Sequence, residues 1–161
     1  MIRTLTIIYT TGTGHTEFVV DTVIAALAES CPTLRVTKQR AETSKPEDMK
    51  KSDALLLACG SWNTNNAEGM LSPYMHDLLV VRAAKEDLQG MPTAVIGLGD
   101  ERYFFTAKAA DRMADFCATH NAKLLLPPLK IINDPFDQTS KIQAWTKEFV
   151  AKISALPITA Q

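Results

Sequence analysis

No stretch of this 161-residue chain approaches the ~20 consecutive apolar residues of a membrane span. Cysteine is scarce: Cys31, Cys59 and Cys117 are odd in number and widely spaced, which argues against a disulfide framework. There is no Cys-x-x-Cys and no Cys/His cluster of metal-ligand spacing. Basic residues are not in excess. The formal net charge is −1 and no basic block is present, so neither nucleic acid nor a membrane surface is an expected partner. Met1-Ile2-Arg3 runs directly into a strand pattern, without the apolar segment and cleavage site of a signal peptide. A cytoplasmic protein is therefore expected. Hydrophobic residues make up 46%, too many for disorder, and the length suits one domain spanning residues 1–161 with a single substantial core.

What is present centres on Tyr9-Thr10-Thr11-Gly12-Thr13-Gly14-His15-Thr16-Glu17. An apolar run, Leu5–Tyr9, leads in as a strand. Phe18, Val19, Val20, Val23, Ile24 and Leu27 follow with helical spacing. Thr10, Thr11, Thr13 and Thr16 supply hydroxyls, Gly12 and Gly14 flexibility, and His15 an imidazole. A strand-to-helix turn exposes backbone N–H groups at the positive end of the helix dipole. Glycines let that backbone close on an anion, so the loop suits a phosphate monoester. Such turns can also merely end a strand and cap a helix. The loop lacks the Gly-Lys-Ser/Thr ending of a nucleoside-triphosphate loop and the third glycine of a dinucleotide fingerprint.

Along the chain, Leu34–Thr37 reads as a second strand, and Ala41–Lys51 has room only for a short surface helix. Asp53–Cys59 is apolar enough for a central strand covered on both faces. Gly60–Leu71 reads as a loop. Ser72-Pro73 then caps a helix carrying Met75, Leu78 and Leu79. Thr93–Gly97 is the fourth strand, Leu98–Phe105 a loop, and Ala110, Met113, Ala114 and Cys117 one helix face. Lys123–Ile132 is a fifth strand region broken by Pro127-Pro128, as suits an edge. Asp137 is expected to cap a last helix with Ile142, Trp145, Phe149 and Ile153 inward, and the tail from Ala155 to fray. No repeat or linker is visible. Cys59 and Cys117 fall on apolar faces and read as buried, reduced thiols. His76 and His120 lie on helices without a nearby nucleophile and read as packing residues.

Five strands alternating with helices predict an α/β fold, a doubly wound five-stranded parallel sheet flanked by helices. Ligands of such sheets bind beyond the carboxyl ends of the strands, where strand order reverses. The loops after strands one, three and four can meet there. Cys59-Gly60-Ser61-Trp62-Asn63-Thr64-Asn65-Asn66 and Gly97-Leu98-Gly99-Asp100-Glu101-Arg102-Tyr103-Phe104-Phe105 both place aromatics just past a buried strand. Packing or an oligomer contact would account for Trp62, and a hydrophobic lid for Tyr103–Phe105. Together with the anion loop they make a slot for a flat ring with a phosphate seat at one end.

Thr-x-Thr-Gly-x-Thr at Thr11–Thr16, the Trp loop at Cys59–Asn63 and Gly-Leu-Gly-Asp-x-x-Tyr at Gly97–Tyr103 resemble the flavodoxin family, in its short-chain form, over essentially the whole chain. The resemblance implies strand order 2-1-3-4-5 and one non-covalently bound FMN. It implies low-potential, single-electron transfer between redox partner proteins: a flavoprotein reductase or other donor, and an acceptor enzyme. It implies a monomer that is not itself an enzyme. By position, Thr11, Thr13 and Thr16, with the amides of Gly12, Thr13, Gly14, His15 and Thr16, would hold the phosphate. Trp62 would cover the inner ring face and Tyr103 the outer. Backbone groups at Leu98, Gly99, Asp100 and Ala107 would meet the pyrimidine edge, and Gly60, Ser61, Asn63 and Phe105 complete the implied contacts.

Several positions depart from the pattern. His15 replaces the usual asparagine, and Gly60 removes a hydroxyl that many relatives place near the phosphate. Asn63 stands where a glycine carbonyl commonly turns toward flavin N5. Arg102 adds a cation beside the ring. Two other readings compete. A small FMN-dependent quinone or nitro-group reductase of the same fold needs a nicotinamide site, for which this length leaves little sequence. A receiver-like signalling domain needs an acidic pair after the first strand, where this chain has threonines.

Overall fold

In the computed structural model, residues 1–64 and 67–157 are described. The strands are β1 (Thr4–Tyr9), β2 (Arg35–Arg40), β3 (Ala54–Thr64), β4 (Ala67–Leu71), β5 (Pro92–Gly99), β6 (Lys123–Leu124) and β7 (Leu129–Ile132). The helices are α1 (His15–Ser30), α2 (Pro73–His76, continued by a π-helical stretch over Asp77–Arg82), α3 (Lys108–Thr119) and α4 (Thr139–Ser154).

Strand order is β2-β1-β3-β5-β6, with β7 also on β5 and β4 on β3. The core pairings are parallel: Leu5↔Ala54 to Tyr9↔Ala58, then Leu55↔Thr93 to Gly60↔Leu98. β6 and β7 are one interrupted edge strand. Both pair with β5, at Pro92↔Lys123 and at Ile96↔Leu129, and the Pro127-Pro128 break lies between. Counted so, the sheet has the expected order 2-1-3-4-5, with the antiparallel β4 as an addition. Prolines cannot donate to a ladder, which confines them to this edge. The Trp145 indole N–H donates to the Pro127 carbonyl at 3.1 Å and pins the break to α4.

The strand period of two sorts the core into halves. Leu5, Ile7, Tyr9, Leu56, Ala58, Ala94 and Ile96 face α1 and α4, meeting Val19, Val23, Leu27, Ile142 and Phe149. Ile8, Leu55, Leu57, Cys59 and Val95 face the other side, against Met75, Leu78, Leu79, Met113 and Cys117. Burial pushes the thiols of Cys59 and Cys117 up to about 12, so neither is a thiolate near neutrality. His120 stacks on Phe116 at 4.0 Å, and its Nε2 lies 3.1 Å from the Ala84 carbonyl, a packing role.

Four local expectations are corrected. Gly60–Leu71 is not a loop: β3 runs on to Thr64 and turns back as β4, while Asn65-Asn66 lies outside the described residues. Ala41–Lys51 forms not one helix but two 3-10 turns, Ala41–Thr43 and Pro46–Lys50; Glu42, Thr43, Lys45 and Glu47 are exposed as expected, while Ala41, Ser44, Asp48 and Met49 are buried. Asp137 does not cap α4, whose N-cap position is Gln138 without a side-chain cap. Leu156, placed in a fraying tail, packs on the core instead, its N–H donating to the Ile153 carbonyl at 3.3 Å.

Asp53 closes the amino end of the sheet. Its Oδ2 accepts from the Arg3 and Thr4 amides at 2.9 and 3.0 Å. Burial alone would raise its carboxyl, but the Arg3 and Thr4 donors outweigh burial and hold it below the ordinary 3.8. Because the folded value is the lower one, this stabilisation is complete above the unfolded value and lost as pH falls through the folded one. Thermal unfolding should therefore change little from neutrality to about pH 5 and fall steeply below about pH 4. In Asp53→Asn the midpoint at neutral pH should be lower and the acid fall shallower; an equally steep fall would assign acid sensitivity to other carboxylates.

Candidate functional site

The parallel registers bring the ends of β1 and β5 beside the outer part of β3, and a cleft of about 550 Å³ opens there. Its walls are the turn after β1, the β3–β4 hairpin and the segment after β5. Thr11, Gly12, Thr13, His15, Thr16, Gly60, Ser61, Trp62, Asn63, Leu98, Gly99, Asp100, Tyr103 and Phe105 all line it.

The first wall is built by Gly14. Its φ of 90° is left-handed, accessible to glycine without strain, and places it at the N-cap of α1. The Gly14 N–H donates to Thr11 Oγ1 at 3.0 Å, and its carbonyl accepts from Phe18. Gly14 thus shapes the turn without lining the cleft. The amides of Gly12, Thr13, His15 and Thr16 have no hydrogen-bond acceptor among the described residues, at the positive end of α1. Thr10 is different from its neighbours: it is buried, and its hydroxyl is hydrogen-bonded to Ser72, tying the turn to the start of α2.

Behind the turn the charges are compensated. Glu17 accepts from the Tyr9 hydroxyl at 3.1 Å and from Lys38 at 2.9 Å, and Lys38 also reaches Asp21 at 2.7 Å. The Lys38 and Tyr9 bonds hold the Glu17 carboxyl below its ordinary value. The Lys38 ammonium also lies 5.0 Å over the Tyr9 ring.

The second wall is the hairpin. Ser61↔Leu71 and Trp62↔Met70 pair, and the register slips between Trp62 and Thr64, which puts Asn63 at a bulge. Trp62 is therefore a strand residue, held by a partner strand. A Cβ on Gly12 would lie 3.4 Å from Trp62 Cζ2, so the indole reaches over the anion turn while 45% of the residue stays exposed. The Ser61 hydroxyl is engaged elsewhere: it accepts from the Ala109 amide at 3.0 Å and caps α3.

The third wall follows β5. Tyr103 and Phe105 are partly exposed on the cleft, and Phe104, 87% exposed, packs edge-on against Phe105 with centroids 4.9 Å apart. Arg102 does not stand free. Its Nη2 and Nε reach Asp100 at 2.6 and 2.9 Å, and this pair holds the Asp100 carboxyl below its ordinary value. Ala107, expected as a contact, does not line the cleft; it is buried with φ 53° at the N-cap of α3. Its place is packing: a Cβ on Gly99 would run into the Ala107 nitrogen.

Sequence reasoning missed Gly69, Ser72, Pro73, Tyr74, Thr106 and Asn133, which also line the cleft. Asn133 had a readable signal, an asparagine directly after an apolar strand. It adopts φ 66°, its Oδ1 accepts from the Glu101 amide at 3.0 Å, and its N–H donates to the Gly99 carbonyl at 2.8 Å. Thr106 had none. Its hydroxyl is buried and lacks a hydrogen-bond partner among the described residues. Among the described residues no cluster of His, Cys, Asp and Glu could hold a metal ion, and no helix is long and apolar enough to cross a membrane.

An open parallel sheet with a Thr/Gly turn after its first strand and aromatic walls at the switch point defines a doubly wound α/β protein with its ligand cleft beyond the strand ends. Comparison with known proteins narrows this. The sequence model described as Flavodoxin matches residues 7–145. A protein called flavodoxin from Nitratidesulfovibrio vulgaris (strain DSM 19637 / Miyazaki F) is 23% identical over 150 residues, 91% of this chain and 97% of its own. Among solved structures, oxidised flavodoxin 2 from Bacillus cereus superposes with TM-score 0.84 at 24% identity, over 92% of this chain and 99% of that one. A short-chain flavodoxin associated with a PDU bacterial microcompartment does so with TM-score 0.79 at 22% identity, over 92% and 97%. The chain belongs to the flavodoxin family, flavin proteins that carry electrons rather than catalyse reactions of their own.

Proposed function

We propose that the cleft binds one FMN non-covalently and that the protein passes single electrons at low potential between a donor such as a flavoprotein reductase and an acceptor enzyme, as a cytoplasmic monomer. The observation that carries this reading is the turn whose amides at Gly12, Thr13, His15 and Thr16 have no acceptor among the described residues, with the Trp62 indole against it at Gly12. A phosphate seat and a flat apolar face adjoin, as the phosphate and ring of a mononucleotide require. The donor set fits: amides and threonine hydroxyls at one end and aromatic faces along the sides.

The cofactor, when bound, supplies the redox chemistry; the protein binds it, orients it and sets its surroundings. Thr11–Thr16 would hold the phosphate, Trp62 and Tyr103 the ring faces, and β5 with its following segment the polar ring edge. His15, edge-on to Phe136 at 5.4 Å, would close the phosphate end.

Fluorescence titration tests the phosphate seat. FMN should bind more tightly than riboflavin, because without the phosphate the desolvated amides go unpaired. Thr13→Ala should weaken FMN by about 1–3 kcal/mol and riboflavin far less. Equal affinities for the two flavins would remove the phosphate from the site.

The Asp100–Arg102 pair sets the second expectation. With Arg102 present the two charges largely cancel at the ring. Arg102→Ala would release the Asp100 charge, and Arg102→Glu would add to it, so the flavin's midpoint potential should fall in that order. The shifts should shrink with added salt, since Arg102 is exposed. Potentiometry that finds neither variant shifted would place the pair too far from the ring to act.

Docking provides a third. The rim carries Tyr74, Tyr103, Phe104, Phe105 and Phe136 in exposed positions, and its Asp100 and Arg102 neutralise each other. A redox partner would meet an apolar face rather than a charged one. Electron-transfer rates to a chosen acceptor should vary weakly with ionic strength and fall in Phe104→Ala. A steep salt dependence with no effect of Phe104→Ala would assign docking to charge.

A further inference from the structure

Of the three walls, the β3–β4 hairpin has the least support from the sheet itself. β3 pairs with β5 as far as Gly60↔Leu98, and from Ser61 outward its partner is β4. A two-stranded hairpin alone is marginal in water, so contacts outside its ladder set its place. One element, α3, supplies them to both strands. The Ala109 amide donates to Ser61 Oγ at 3.0 Å on the outgoing strand. On the return strand, Arg112 Nε donates to the Gly69 carbonyl at 2.5 Å. Gly69 lies in the register slip, between the Trp62↔Met70 and Thr64↔Ala67 pairs, next to the strand partner of Trp62. It is buried at φ 69°, and a Cβ there would stand 2.7 Å from Lys108 Cβ and 2.8 Å from Phe105 Cβ. The return strand is therefore seated on the start of α3, where the wall of Tyr103 and Phe105 ends.

We propose that Arg112 is a positioning residue for the ring slot: its hydrogen bond to Gly69 fastens the hairpin to α3 and so sets where Trp62 stands against the Tyr103–Phe105 wall. Arg112 is half-buried and does not line the cleft; it acts through β4. A charged donor makes the stronger kind of hydrogen bond, and its removal leaves a buried carbonyl unpaired. Two aromatic walls then share one foundation, and a helix rather than a loop holds their spacing. The anion turn is held separately, by α1 and by the bond from Thr10 to Ser72. The two ends of the cleft should therefore answer differently to the loss of Arg112. The assignment rests on the flavin reading above for what fills the slot, while the fastening itself does not.

The test compares Arg112→Met, which keeps the stem without a donor, with Arg112→Gln, which puts an N–H at the place of Nε without the charge. Hydrogen exchange is followed in the apoproteins, and binding of lumiflavin (the ring without its ribityl chain), riboflavin and FMN by fluorescence. In Arg112→Met the β4 amides should exchange about tenfold faster, as for one lost buried hydrogen bond, with those of β1 and β5 unchanged. All three flavins should bind more weakly by a similar factor, roughly tenfold, and the ratio of FMN to riboflavin affinity should hold. Arg112→Gln should recover most of both properties. Full lumiflavin affinity in Arg112→Met would overturn the proposal, as would faster exchange throughout the sheet, the mark of a general loss of stability. Failure of Arg112→Gln to recover either property would overturn it too, by assigning the role to charge. Wild-type protein that binds none of the flavins would overturn the flavin reading and the ring slot with it, while β4 exchange in Arg112→Met would still decide the fastening.

Discussion

The register of β1, β3 and β5 is the constraint on which the site depends. Tyr9 pairs with Ala58, and Cys59 with Gly97, so the segments that leave the sheet after β1 and β5 do so beside the outer part of β3 that carries Ser61, Trp62 and Asn63. A slip of one residue in either pairing would turn every core side chain to the wrong face. The two half-cores prevent it: Ile7 and Leu56 belong to one, Ile8 and Leu57 to the other. Hydrophobic patterning in the strands therefore fixes the placement of loops that are not themselves hydrophobic. The close approach of α3 completes the arrangement, since a Cβ on Gly97 would stand 2.5 Å from the Ala110 Cβ. Small residues on both sides bring the N-terminus of α3 onto β5, and Ser61 of β3 caps it.

The core strands were legible because burial on both faces leaves a continuous apolar run, as in Leu55–Ala58. The Thr/Gly turn was legible for another reason, its dense hydroxyl and glycine chemistry. The hairpin was not. Ser61-Trp62-Asn63 has no alternation to read, because all three residues line the cleft instead of dividing between core and solvent. Its strand character comes from pairing with Leu71 and Met70, which is a non-local fact. Thr106 shows the limit most plainly. Its residue type says little, and only the packing of Gly99 and Ala107 around it strands the hydroxyl. Ala107 shows the same limit: the sequence does not reveal the left-handed backbone with which it starts α3.

Arg102 illustrates how a sequence-level charge argument changes in three dimensions. A cation one residue before Tyr103 looks like a positive field on the ring. In the structure the guanidinium forks onto Asp100, and both groups face solvent in part. An exposed pair of this kind contributes little to stability. Its electrostatic effect on a nearby group is that of a small dipole rather than a unit charge, and salt screens it further.

The same compensation recurs at the anion turn, where it matters more. Glu17 lies in the first turn of α1, three residues beyond Gly14, and a bare carboxylate there would repel a phosphate and compete for the helix dipole. Lys38 and Arg40 of β2 both reach it, at 2.9 and 3.6 Å, and the Tyr9 hydroxyl donates to it as well. The carboxylate is thereby spent on binding β2 to α1. The amides of Gly12, Thr13, His15 and Thr16, without an acceptor among the described residues, are dipoles held by backbone geometry. A seat made of neutral donors does not depend on side-chain protonation. On the proposed reading it would bind the phosphate without adding a full positive charge beside the flavin ring. With FMN bound as proposed, the turn would separate two tasks that a lysine there would couple: holding the phosphate, and setting the energy of the reduced flavin.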